Sequence, residues 1–559
     1  MRKVSISDLI GNDFEIVGDA GREISGIAYD SRNVKGDELF VALKGEKCDG
    51  VNFIEDAINN GAAAVMCGKD SLLSDARLLI LESKYPGTVW IRVDDAREAL
   101  ARVSHFFYDR PSGELVIVGI TGTNGKTTTS YLVKSILERW EKSVGVIGTI
   151  NYLIKDTIYE APRTTPEAPD FQRLLREMKD SSCSYVVSEI SSHALAQKRV
   201  DYTRFKVAVF MNLTRDHLDF HSTMDEYFRA KTRLFAELLA ADGTAVINID
   251  DAYGMRLEEI LRSRMPSVSV ITCSLENREA DISAFDIKTS FGGTSFIARF
   301  RGEETKITSP MVGQTNVYNI IAAMGTALSI GIPINIIQEG IAMAGLVKGR
   351  FEKIDMGQDF LAVVDYAHTE DALERLLLTA RKLLEAYSYV GKTEKIMKEK
   401  RRQFDMTNRQ KDERDRGKII TVLGCGGNRD RGKRSKMGEI ASRLSDFVII
   451  TSDNPRNEDP KAIIRDVEKG MKGDSYIVIP DRSVAIGMAV ELASSGDIVL
   501  VAGKGHEEYQ EVQGIRHNFS DRTVLENAIR RAISRPAFGG GSTFAGLYTH
   551  QHFKRECSC

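Results

Sequence analysis

The stretch Gly119-Ile-Thr-Gly-Thr-Asn-Gly-Lys-Thr-Thr128 decides the fold of the chain around it. An apolar run over 115–120 leads into it, and this run predicts a buried strand. A helical pattern follows, because apolar residues recur at three- and four-residue spacing: Leu132, Val133, Ile136, Leu137 and Trp140. A glycine-rich loop between a strand and a helix directs backbone N–H groups and the positive helix end at an anion.

The residues of this loop specify the anion. Lys126 can reach terminal phosphates and Thr127 can hold Mg²⁺, so the sequence predicts a nucleoside triphosphate site. The spacing departs from the common G-x-x-x-x-G-K-[ST] rule, because Ile120 stands five positions before Gly125 and the first glycine, Gly119, is one position further back. An ordinary turn is the alternative, and both flanking elements argue against it. The residues expected to contact the nucleotide are Gly122, Thr123, Asn124, Gly125, Lys126, Thr127 and Thr128.

Length and composition limit the class of protein. A chain of 559 residues predicts three or four domains of roughly 100 to 200 residues each. A net charge of −3 gives no electrostatic reason to bind nucleic acid or an anionic membrane. The start lacks the apolar core of a signal peptide, and no apolar run reaches the roughly 18 residues that span a bilayer. We therefore expect a cytoplasmic protein without a nucleic-acid partner, acting as a monomer.

The pattern along the chain predicts an α/β protein with three domains. Residues 1–110 combine short strands and helices without a catalytic signature, which suits a recognition domain. Residues 111–345 alternate strand and helix around the phosphate loop, and 346–535 repeat that alternation as a Rossmann-like, doubly wound domain. Residues 386–418 are a charged insertion with no catalytic role expected. Residues 536–559, with Cys557 and Cys559, are predicted to be a flexible tail.

Polar residues stand where the predicted central strands end. Glu189, Asn212 and Asp250 each close an apolar run, and ligands of open α/β sheets bind at the carboxyl ends of strands. Glu189 is the first candidate for a second Mg²⁺ ligand. The stretch 212–221 is dense in His and charged residues, and a solvated helix start is an equally good interpretation of its spacing.

Two later stretches of the central domain have a predicted structure. The alternation over 291–300 predicts an antiparallel hairpin. Asn316 and Asn319 lie three apart at the start of a predicted helix after Gly313. Asparagines there usually cap the helix, and these two can also contact an adenine edge.

Four strand ends of the C-terminal domain carry polar clusters. They are residues 365–368, 424–430, 453–456 and 503–507, with Arg, Asp and Glu among them. One such end would be an ordinary loop. Four ends at one sheet edge predict a site for a small zwitterion.

The motifs together resemble the Mur ligases, the ATP-dependent amide-forming enzymes of peptidoglycan synthesis. The resemblance covers about residues 20–530, without the 386–418 run. It rests on these stretches: Gly122-Thr-Asn-Gly-Lys-Thr127, Ser188-Glu-Ile-Ser-Ser-His193, Asn212-Leu-Thr-Arg-Asp-His-Leu-Asp219, the helix with Gly313, Asn316 and Asn319, Gly349-Arg-Phe-Glu352 and Asp365-Tyr-Ala-His368. Asp453-Asn-Pro-Arg456 and Gly503-Lys-Gly-His-Glu507 are similar to members that add meso-2,6-diaminopimelate to UDP-N-acetylmuramoyl-L-Ala-D-Glu.

The resemblance implies an acyl phosphate mechanism and its catalytic residues. ATP would phosphorylate the D-Glu side-chain carboxylate, and the amine of diaminopimelate would displace phosphate. Lys126 and Mg²⁺, held by Thr127 and Glu189, would neutralise the phosphates. His217 matches a family metal ligand. Lys231 matches a lysine that CO₂ converts to a carbamate, which would turn a cation into an oxygen ligand.

The resemblance also implies three sets of binding residues. For ATP it adds Asn316, Asn319, Arg350 and Asp365 to the loop. For the UDP-linked substrate it gives Ser31, Thr164, Thr165, Ser191, Gln197 and Arg199. For diaminopimelate it gives Arg429, Asp453, Asn454, Pro455, Arg456, Gly503 and Glu507. One departure is Arg163, where relatives often have Asn.

Three alternatives remain open from sequence. A D-Ala-D-Ala-adding Mur ligase would share the N-terminal pattern and the loop but lack the two diaminopimelate motifs. A folylpolyglutamate synthase would lack the unit of residues 1–110. An inactive scaffold would need no intact set of Lys126, Glu189, His217 and Lys231, and all four are present.

Overall fold

The computed structural model describes the backbone of residues 3–10, 14–45, 48–400 and 417–534, and the side chains of the same residues except 386–400. Residues 401–416 of the charged insertion and the whole tail from 535 lie outside the described residues. Within the described part, no helix combines the length and the apolar character needed to cross a bilayer. Four of the five cysteines there are buried, and Cys48 is exposed.

The N-terminal unit is built on a mostly parallel sheet. Its strands are β1 (Val4–Ser5), β2 (Glu15–Val17), β3 (Glu23–Ile24), β4 (Gly26–Ala28), β5 (Glu38–Ala42), β6 (Ala64–Gly68) and β7 (Val89–Val93), and its helices are α1 (Ile6–Leu9), α2 (Ile54–Asn59), α3 (Asp75–Lys84) and α4 (Ala96–Phe107). The five-stranded sheet has the order β2-β7-β6-β5-β4. Only its edge strand β2 is antiparallel to its neighbour, and β1 pairs with β3 separately.

The central unit holds the longest sheet. Its strands are β8 (Val116–Thr121), β9 (Val144–Ile147), β10 (Asn151–Ile154), β11 (Thr157–Glu160), β12 (Tyr185–Glu189), β13 (Phe205–Phe210), β14 (Leu239–Asn248), β15 (Ser269–Ser274), β16 (Ile282–Ser290), β17 (Gly293–Phe300) and β18 (Glu303–Ser309). Its helices are α5 (Lys126–Arg139), α6 (Ala168–Asp180), α7 (Ser192–Ala196), α8 (Leu218–His221), α9 (Met224–Ala236), α10 (Ala252–Arg264), α11 (Gln314–Ser329) and α12 (Ile334–Met343).

The order of this sheet brings the site residues together. It runs β11-β10-β9-β12-β8-β13-β14-β15-β16-β17-β18, with parallel pairing from β9 to β16. Strand β8 lies between β12 and β13, so the strand ends at Thr121, Glu189 and Phe210 share one edge. Apolar side chains of α5, α11 and α12 fill one face, and those of α6, α9 and α10 fill the other.

The predicted hairpin over 291–300 is partly wrong. The turn falls at Phe291 and Gly292, and 293–300 form the single strand β17, which pairs antiparallel with both β16 and β18. Gly293 explains the start of β17, because its φ of +137° is rarely adopted by residues with a side chain. Alternation alone could not show that the partner strands lie on both sides of this stretch.

The C-terminal unit is a second doubly wound sheet. Its strands are β19 (Glu352–Ile354), β20 (Leu361–Asp365), β21 (Ile419–Leu423), β22 (Phe447–Ile450), β23 (Tyr476–Val478), β24 (Ile498–Ala502), β25 (Tyr509–Val512) and β26 (Ile515–Asn518), and its helices are α13 (Glu370–Lys400), α14 (Gly432–Leu444), α15 (Pro460–Glu468), α16 (Arg482–Leu492) and α17 (Asp521–Ser534). The sheet order is β19-β20-β24-β21-β22-β23, and only β19 is antiparallel to its neighbour. Helices cover both faces.

The predicted α/β class is confirmed, with a parallel-rich central sheet and a doubly wound C-terminal sheet. Among the described residues, each of the three large sheets and each of the two two-stranded sheets falls within one of the ranges 1–110, 111–345 and 346–535. The domain boundaries themselves stay a prediction.

Candidate active site

The phosphate loop lies between β8 and α5, and its backbone depends on two glycines. Gly125 has φ of +89°, and a Cβ there would collide with the side-chain oxygen of Asn319. A Cβ on Gly122 would lie 2.8 Å from the Cβ of Met211. Asn212 holds the loop in place, because its carbonyl accepts the N–H of Thr123 at 3.0 Å and its Oδ1 accepts that of Asn124 at 2.8 Å.

Lys126 is the first residue of α5 and folds back over the loop. Its Nζ donates to the carbonyls of Gly122 at 2.9 Å and Thr123 at 3.0 Å. Burial lowers the pKa of this ammonium group, and the charge of Glu189 partly opposes that shift. A phosphate in the loop would offer Lys126 an anionic acceptor in place of two neutral carbonyls.

Glu189 connects the loop to the neighbouring strands. It is fully buried at the end of β12, and its Oε2 accepts hydrogen bonds from Thr127 Oγ1 and Thr149 Oγ1, each at 2.9 Å. Its Oε1 accepts the N–H of Thr149 at 2.9 Å. A carboxylate beside a loop hydroxyl fits Mg²⁺, which binds few protein oxygens and takes its other ligands from phosphates and water. Among the described residues, no three His, Cys, Asp or Glu side chains are grouped so that they could hold a metal ion.

Lys231 contacts the loop from α9, and His217 lies beside the same Tyr227 ring. Lys231 is 1% exposed on α9, and its Nζ donates to the Gly122 carbonyl at 3.0 Å and lies 4.8 Å from the centre of the Tyr227 ring. The ring centre of His217 is 6.1 Å from that of Tyr227 and 4.7 Å from that of His193. Burial lowers the pKa of His217 to about 4, against the opposing charge of Asp216. Lys126 and Lys231 therefore share one carbonyl, Gly122.

Four predicted substrate residues form one hydrogen-bonded group next to Glu189. Thr165 Oγ1 donates to the carbonyl of Glu189 at 2.8 Å and accepts the N–H of Ser191 at 3.0 Å. Arg199 donates to the carbonyl of Thr165 at 3.0 Å and to Gln197 Oε1 at 2.6 Å. Thr164 lies beside them, 3.1 Å from Thr149 between hydroxyl oxygens.

The N-terminal unit meets this group through α6. Tyr29 donates to Asp170 Oδ2 at 2.7 Å, which places the turn that carries Ser31 next to the central unit. Ser31 is buried, and its carbonyl accepts a hydrogen bond from Asn60 at 2.9 Å. Arg163, the departure from the family pattern, pairs with Glu167 at 2.6 Å.

A pocket adjoins the start of α5. It is lined by Thr128, Met311, Val312, Asn316, Leu346, Val347, Arg350 and Phe351. Asn316 does not cap α11, because its Nδ2 donates back to the Val312 carbonyl at 2.9 Å and its Oδ1 accepts from Asn319 at 2.9 Å. Five of the eight lining residues are apolar, and Thr128, Asn316 and Arg350 add polar groups, a composition that suits a nucleoside base.

Arg350 and Asp365 join this pocket to the C-terminal unit. Arg350 donates to Thr127 Oγ1 at 3.4 Å, and its guanidinium lies 4.6 Å from the centre of the Tyr366 ring. Asp365 at the end of β20 accepts the N–H groups of Phe351 at 2.6 Å and Ala367 at 2.8 Å. The carboxylate of Asp365 therefore fixes the turn that presents Arg350 to the phosphate loop.

The loops after β22 and β24 form a second polar cluster. Asn454 donates to Glu507 Oε2 at 2.7 Å, and Lys504 donates to Asn454 Oδ1 at 3.0 Å and Glu507 Oε2 at 3.2 Å. Asp453 lies 3.6 Å from the Lys504 ammonium. Arg456 adopts φ of +52° and donates to the Gly427 carbonyl at 2.8 Å. Pro455 separates Asn454 from Arg456 in the loop after β22. Gly503 begins the loop after β24 with φ of +119°. Arg429, in the loop after β21, is exposed.

Contacts between the central and C-terminal units link the phosphate loop to the second cluster, beginning with Arg350, which reaches Thr127 and stacks on Tyr366. Tyr366, under Arg350, has its ring centre 5.0 Å from that of His506, which belongs to the loop of Lys504 and Glu507. Asn124 of the phosphate loop donates to Asp371 at 2.8 Å. Arg350, Tyr366 and His506 thus connect the phosphate loop to the loop that carries Glu507.

Family models match three consecutive parts of the chain. They are described as the Mur ligase family catalytic domain at residues 23–108, the Mur ligase middle domain at 120–327 and the Mur ligase glutamate ligase domain at 405–505. The chain belongs to the Mur ligase family. It is an amide-forming ligase, and its sequence resemblance to this family is confirmed.

Two relatives and one solved structure are similar along nearly the whole Mur ligase chain. The UDP-N-acetylmuramoyl-L-alanyl-D-glutamate–2,6-diaminopimelate ligase of Caldanaerobacter subterraneus subsp. tengcongensis is 39% identical over 531 residues, covering 95% of this chain and 99% of the relative. A ligase of the same name from Alkaliphilus metalliredigens is 41% identical, covering 89% and 92%. A solved structure of a ligase of that name is 32% identical with a TM-score of 0.63, covering 95% and 100%. A MurF from Acinetobacter baumannii, 18% identical with a TM-score of 0.58, shares the fold.

Sequence reasoning missed several polar residues of this Mur ligase site. Thr149 completes the hydrogen bonding of Glu189 but stands outside any motif. Lys504 is fully buried and bonds to Asn454 and Glu507. Of its motif, only Gly503 and Glu507 were predicted to bind diaminopimelate. The acids of the two motifs, Asp453 and Glu507, were the available signal, because a lysine buried between them must be paired.

Proposed function

We propose that this chain joins meso-2,6-diaminopimelate to the D-Glu side-chain carboxylate of UDP-N-acetylmuramoyl-L-Ala-D-Glu in peptidoglycan synthesis, using ATP. The main support is the polar cluster of Asn454, Arg456, Lys504 and Glu507, whose loop is connected to the phosphate loop through His506, Tyr366 and Arg350. The names of the relatives at 39% and 41% identity support the same reaction. Since ATP and UDP-sugars are cytoplasmic metabolites, we place the reaction in the cytoplasm, carried out by a monomer.

The chemistry follows from the poor reactivity of a carboxylate. The γ-phosphoryl group of ATP passes to a D-Glu carboxylate oxygen and ADP leaves. The amine of diaminopimelate attacks the acyl carbon, the tetrahedral adduct collapses, and phosphate departs with the former carboxylate oxygen. The protein positions these anions and neutralises their charge. Lys126 and the N–H groups at the start of α5 hold the phosphates.

Mg²⁺ would be held by the Thr127 hydroxyl and the Glu189 carboxylate. When bound, it supplies positive charge to the phosphate oxygens. His217 and Lys231 are proposed as ligands of a further ion, with Lys231 carrying a carbamate. Burial and the nearby Lys126 lower the pKa of the Lys231 amine, which favours the neutral form that adds to CO₂ with loss of one proton. The Lys231 ammonium contacts neutral oxygens and an aromatic ring, so among the described residues a carbamate there would break no ion pair of this group.

The two nucleotides are assigned to opposite sides of the loop. The pocket lined by Asn316 and Arg350, together with the adjoining Asn319 and Asp365, takes the base and ribose of ATP. The hydrogen-bonded group beside Glu189 takes the muramoyl dipeptide, and Ser31 takes the uridine end. The residues in that group are Thr164, Thr165, Ser191, Gln197 and Arg199.

Diaminopimelate differs from lysine by a second carboxylate on its far amino-bearing carbon. A guanidinium binds a carboxylate through two parallel N–H donors, which suits Arg456 and Arg429. Glu507 and Asn454 suit the ammonium group on the same carbon. Arg456 uses one donor on the Gly427 carbonyl, and a guanidinium has five.

Arg456→Ala is expected to lower kcat/KM for diaminopimelate about tenfold to a hundredfold, because a charge-assisted hydrogen bond contributes roughly 1.5 to 3 kcal/mol. The preference over lysine should fall by a similar factor. Steady-state phosphate release with each amino acid measures both. Arg465→Ala is the matched control, since that exposed arginine pairs only loosely with Asp459 at 3.6 Å. An unchanged preference in Arg456→Ala would remove this residue from amino-acid selection.

One assay separates the alternatives. Phosphate release should require UDP-N-acetylmuramoyl-L-Ala-D-Glu and diaminopimelate together. A ligase that adds D-Ala-D-Ala would respond to that dipeptide with the tripeptide nucleotide instead, a folylpolyglutamate synthase to a folate with glutamate, and a scaffold to none of these.

A further inference from the structure

Arg434 is a fully buried arginine near the start of α14, within the C-terminal unit. Its two terminal nitrogens donate to the two carboxylate oxygens of Glu458, each at 2.9 Å. The same nitrogens reach Asp466 at 3.2 Å and the carbonyl of Gly426 at 3.2 Å. One guanidinium therefore binds two carboxylates and one backbone oxygen.

These partners belong to three different segments. Gly426 lies in the loop after β21, Glu458 follows Arg456 in the loop after β22, and Asp466 is on α15. Neither loop contains a helix or strand, and the backbone of Arg456 forms a single β-bridge with Val512. The Arg434 side chain is thus the common attachment point of the loop that carries Arg429 and the loop that carries Arg456.

The two loops also bond directly to each other. The N–H of Gly427 donates to the Asn454 carbonyl at 2.8 Å, and the N–H of Asn457 donates to Asn428 Oδ1 at 3.0 Å. Glu458 accepts the N–H of Asn428 in addition to the bonds from Arg434. Arg456 itself donates to Gly427. Any change in the distance between the loops must therefore move the guanidinium of Arg456.

We propose that Arg434 is a positioning residue for the amino-acid substrate: it sets the spacing between the loops that carry Arg429 and Arg456, and hence the enzyme's selectivity for diaminopimelate. The proposal rests on the proposed function. Arg434 itself touches no substrate, because it is buried beneath the loops. This role requires the planar guanidinium of arginine, because a lysine ammonium cannot donate two parallel hydrogen bonds to the two oxygens of Glu458.

The ion-pair partners of Asp466 and Glu458 show which of the two carboxylates depends on Arg434. Asp466 has two further cationic partners, Arg431 at 3.0 Å and Lys469 at 2.6 Å, and both are mostly exposed. Among the described residues, the ion pair of Glu458 is with Arg434. Loss of the Arg434 fork would therefore leave Glu458 without an ion pair and weaken the attachment of its loop, while Asp466 on α15 would keep two cations.

The test compares Arg434→Lys, Glu458→Gln and Arg431→Lys in steady-state assays of the full chain. Arg434→Lys should raise KM for diaminopimelate about tenfold to a hundredfold, the size of effect expected from a displacement near 1 Å. KM for ATP and for the UDP-linked substrate should stay within about twofold, and the preference over lysine should fall. Glu458→Gln should act in the same direction with a smaller change. Arg431→Lys, the matched control on Asp466, should behave as wild type.

Two other results would overturn the proposal. One is an unchanged KM for diaminopimelate in a folded Arg434→Lys protein. The other is an equal loss for all three substrates with a lowered Tm, as a purely structural role predicts. If Arg434→Lys does not fold, Glu458→Gln decides by the same criterion. Wild-type activity is measured first. If it does not need diaminopimelate, the proposed function fails. If it does, and the variant has an unchanged KM for diaminopimelate, only the role of Arg434 is refuted.

Discussion

Replacing Lys126 by alanine is expected to lower kcat by about a thousandfold, since removal of one preorganised charge from a phosphoryl-transfer site has effects of roughly that size. The Lys126 ammonium lies over the carbonyls of Gly122 and Thr123, within the loop that would hold the phosphates. Charge that develops as the γ-phosphoryl group moves would then lose the ammonium group of Lys126 and keep the neutral N–H groups of the loop. The measurement is phosphate release at saturating substrates.

The matched control for this variant is Lys134→Ala. Lys134 is on the same helix, α5, but its ammonium pairs with Glu138 at 2.6 Å on the outer surface. Its replacement should leave kcat within about twofold of wild type, because exposed ion pairs contribute little. If Lys126→Ala turned over as fast as this control, the loop would not be the phosphate site.

Replacing Lys231 by alanine is expected to reduce kcat by about a hundredfold or more, the scale seen when one charged group is lost from a preorganised site. Small carboxylates such as acetate or formate should restore part of the activity, because the cavity left by the side chain can admit the oxygens that the carbamate would supply. The side chain is buried, with neutral groups around its Nζ: the Thr121 hydroxyl at 3.3 Å and the Gly122 carbonyl at 3.0 Å. Rates with and without added carboxylate measure the effect.

A spectroscopic measurement tests the modification directly. Wild-type protein equilibrated with ¹³C-labelled CO₂ should show one carbamate carbon resonance that is missing in Lys231→Ala. Lys206→Ala is a suitable control, since Lys206 is a partly exposed lysine that pairs with Asp242 at 2.7 Å. Wild-type turnover in Lys231→Ala would dismiss the carbamate role of Lys231. So would a variant that no carboxylate rescues, if the wild-type protein also shows no carbamate signal.

The sheet strands were the most predictable part of the fold. The runs Ile419–Leu423, Phe447–Ile450 and Ile498–Ala502 form strands with the bounds that their apolar residues predict. Parallel strands are buried on both faces, so each appears as a continuous apolar run between polar residues. The phosphate loop was equally clear, because its glycines and its Lys-Thr pair act within a few residues of each other.

The residues that hold the loops together were not predictable from the sequence. Arg434 stands in a run of charged residues whose other members are partly or fully exposed, and the sequence contains no mark that distinguishes it. The fully buried pair of Arg482 and Asp521, 2.7 Å apart beneath β24, shows the same difficulty. A charged residue is buried when a partner from another segment meets it, and this depends on the packing of both segments.

The sequence by itself determined the elements, the phosphate loop and the family to which its motifs point. These follow from local spacing, since strand and helix periods, glycine conformations and loop chemistry act over a few neighbouring residues. Only the tertiary structure decided which distant side chains meet. Glu189 reaches Thr127 because β12 pairs with β8, and Arg350 reaches the same hydroxyl although 223 positions separate it from Thr127. Such contacts depend on strand order and on how two units close on each other, and no local pattern specifies either.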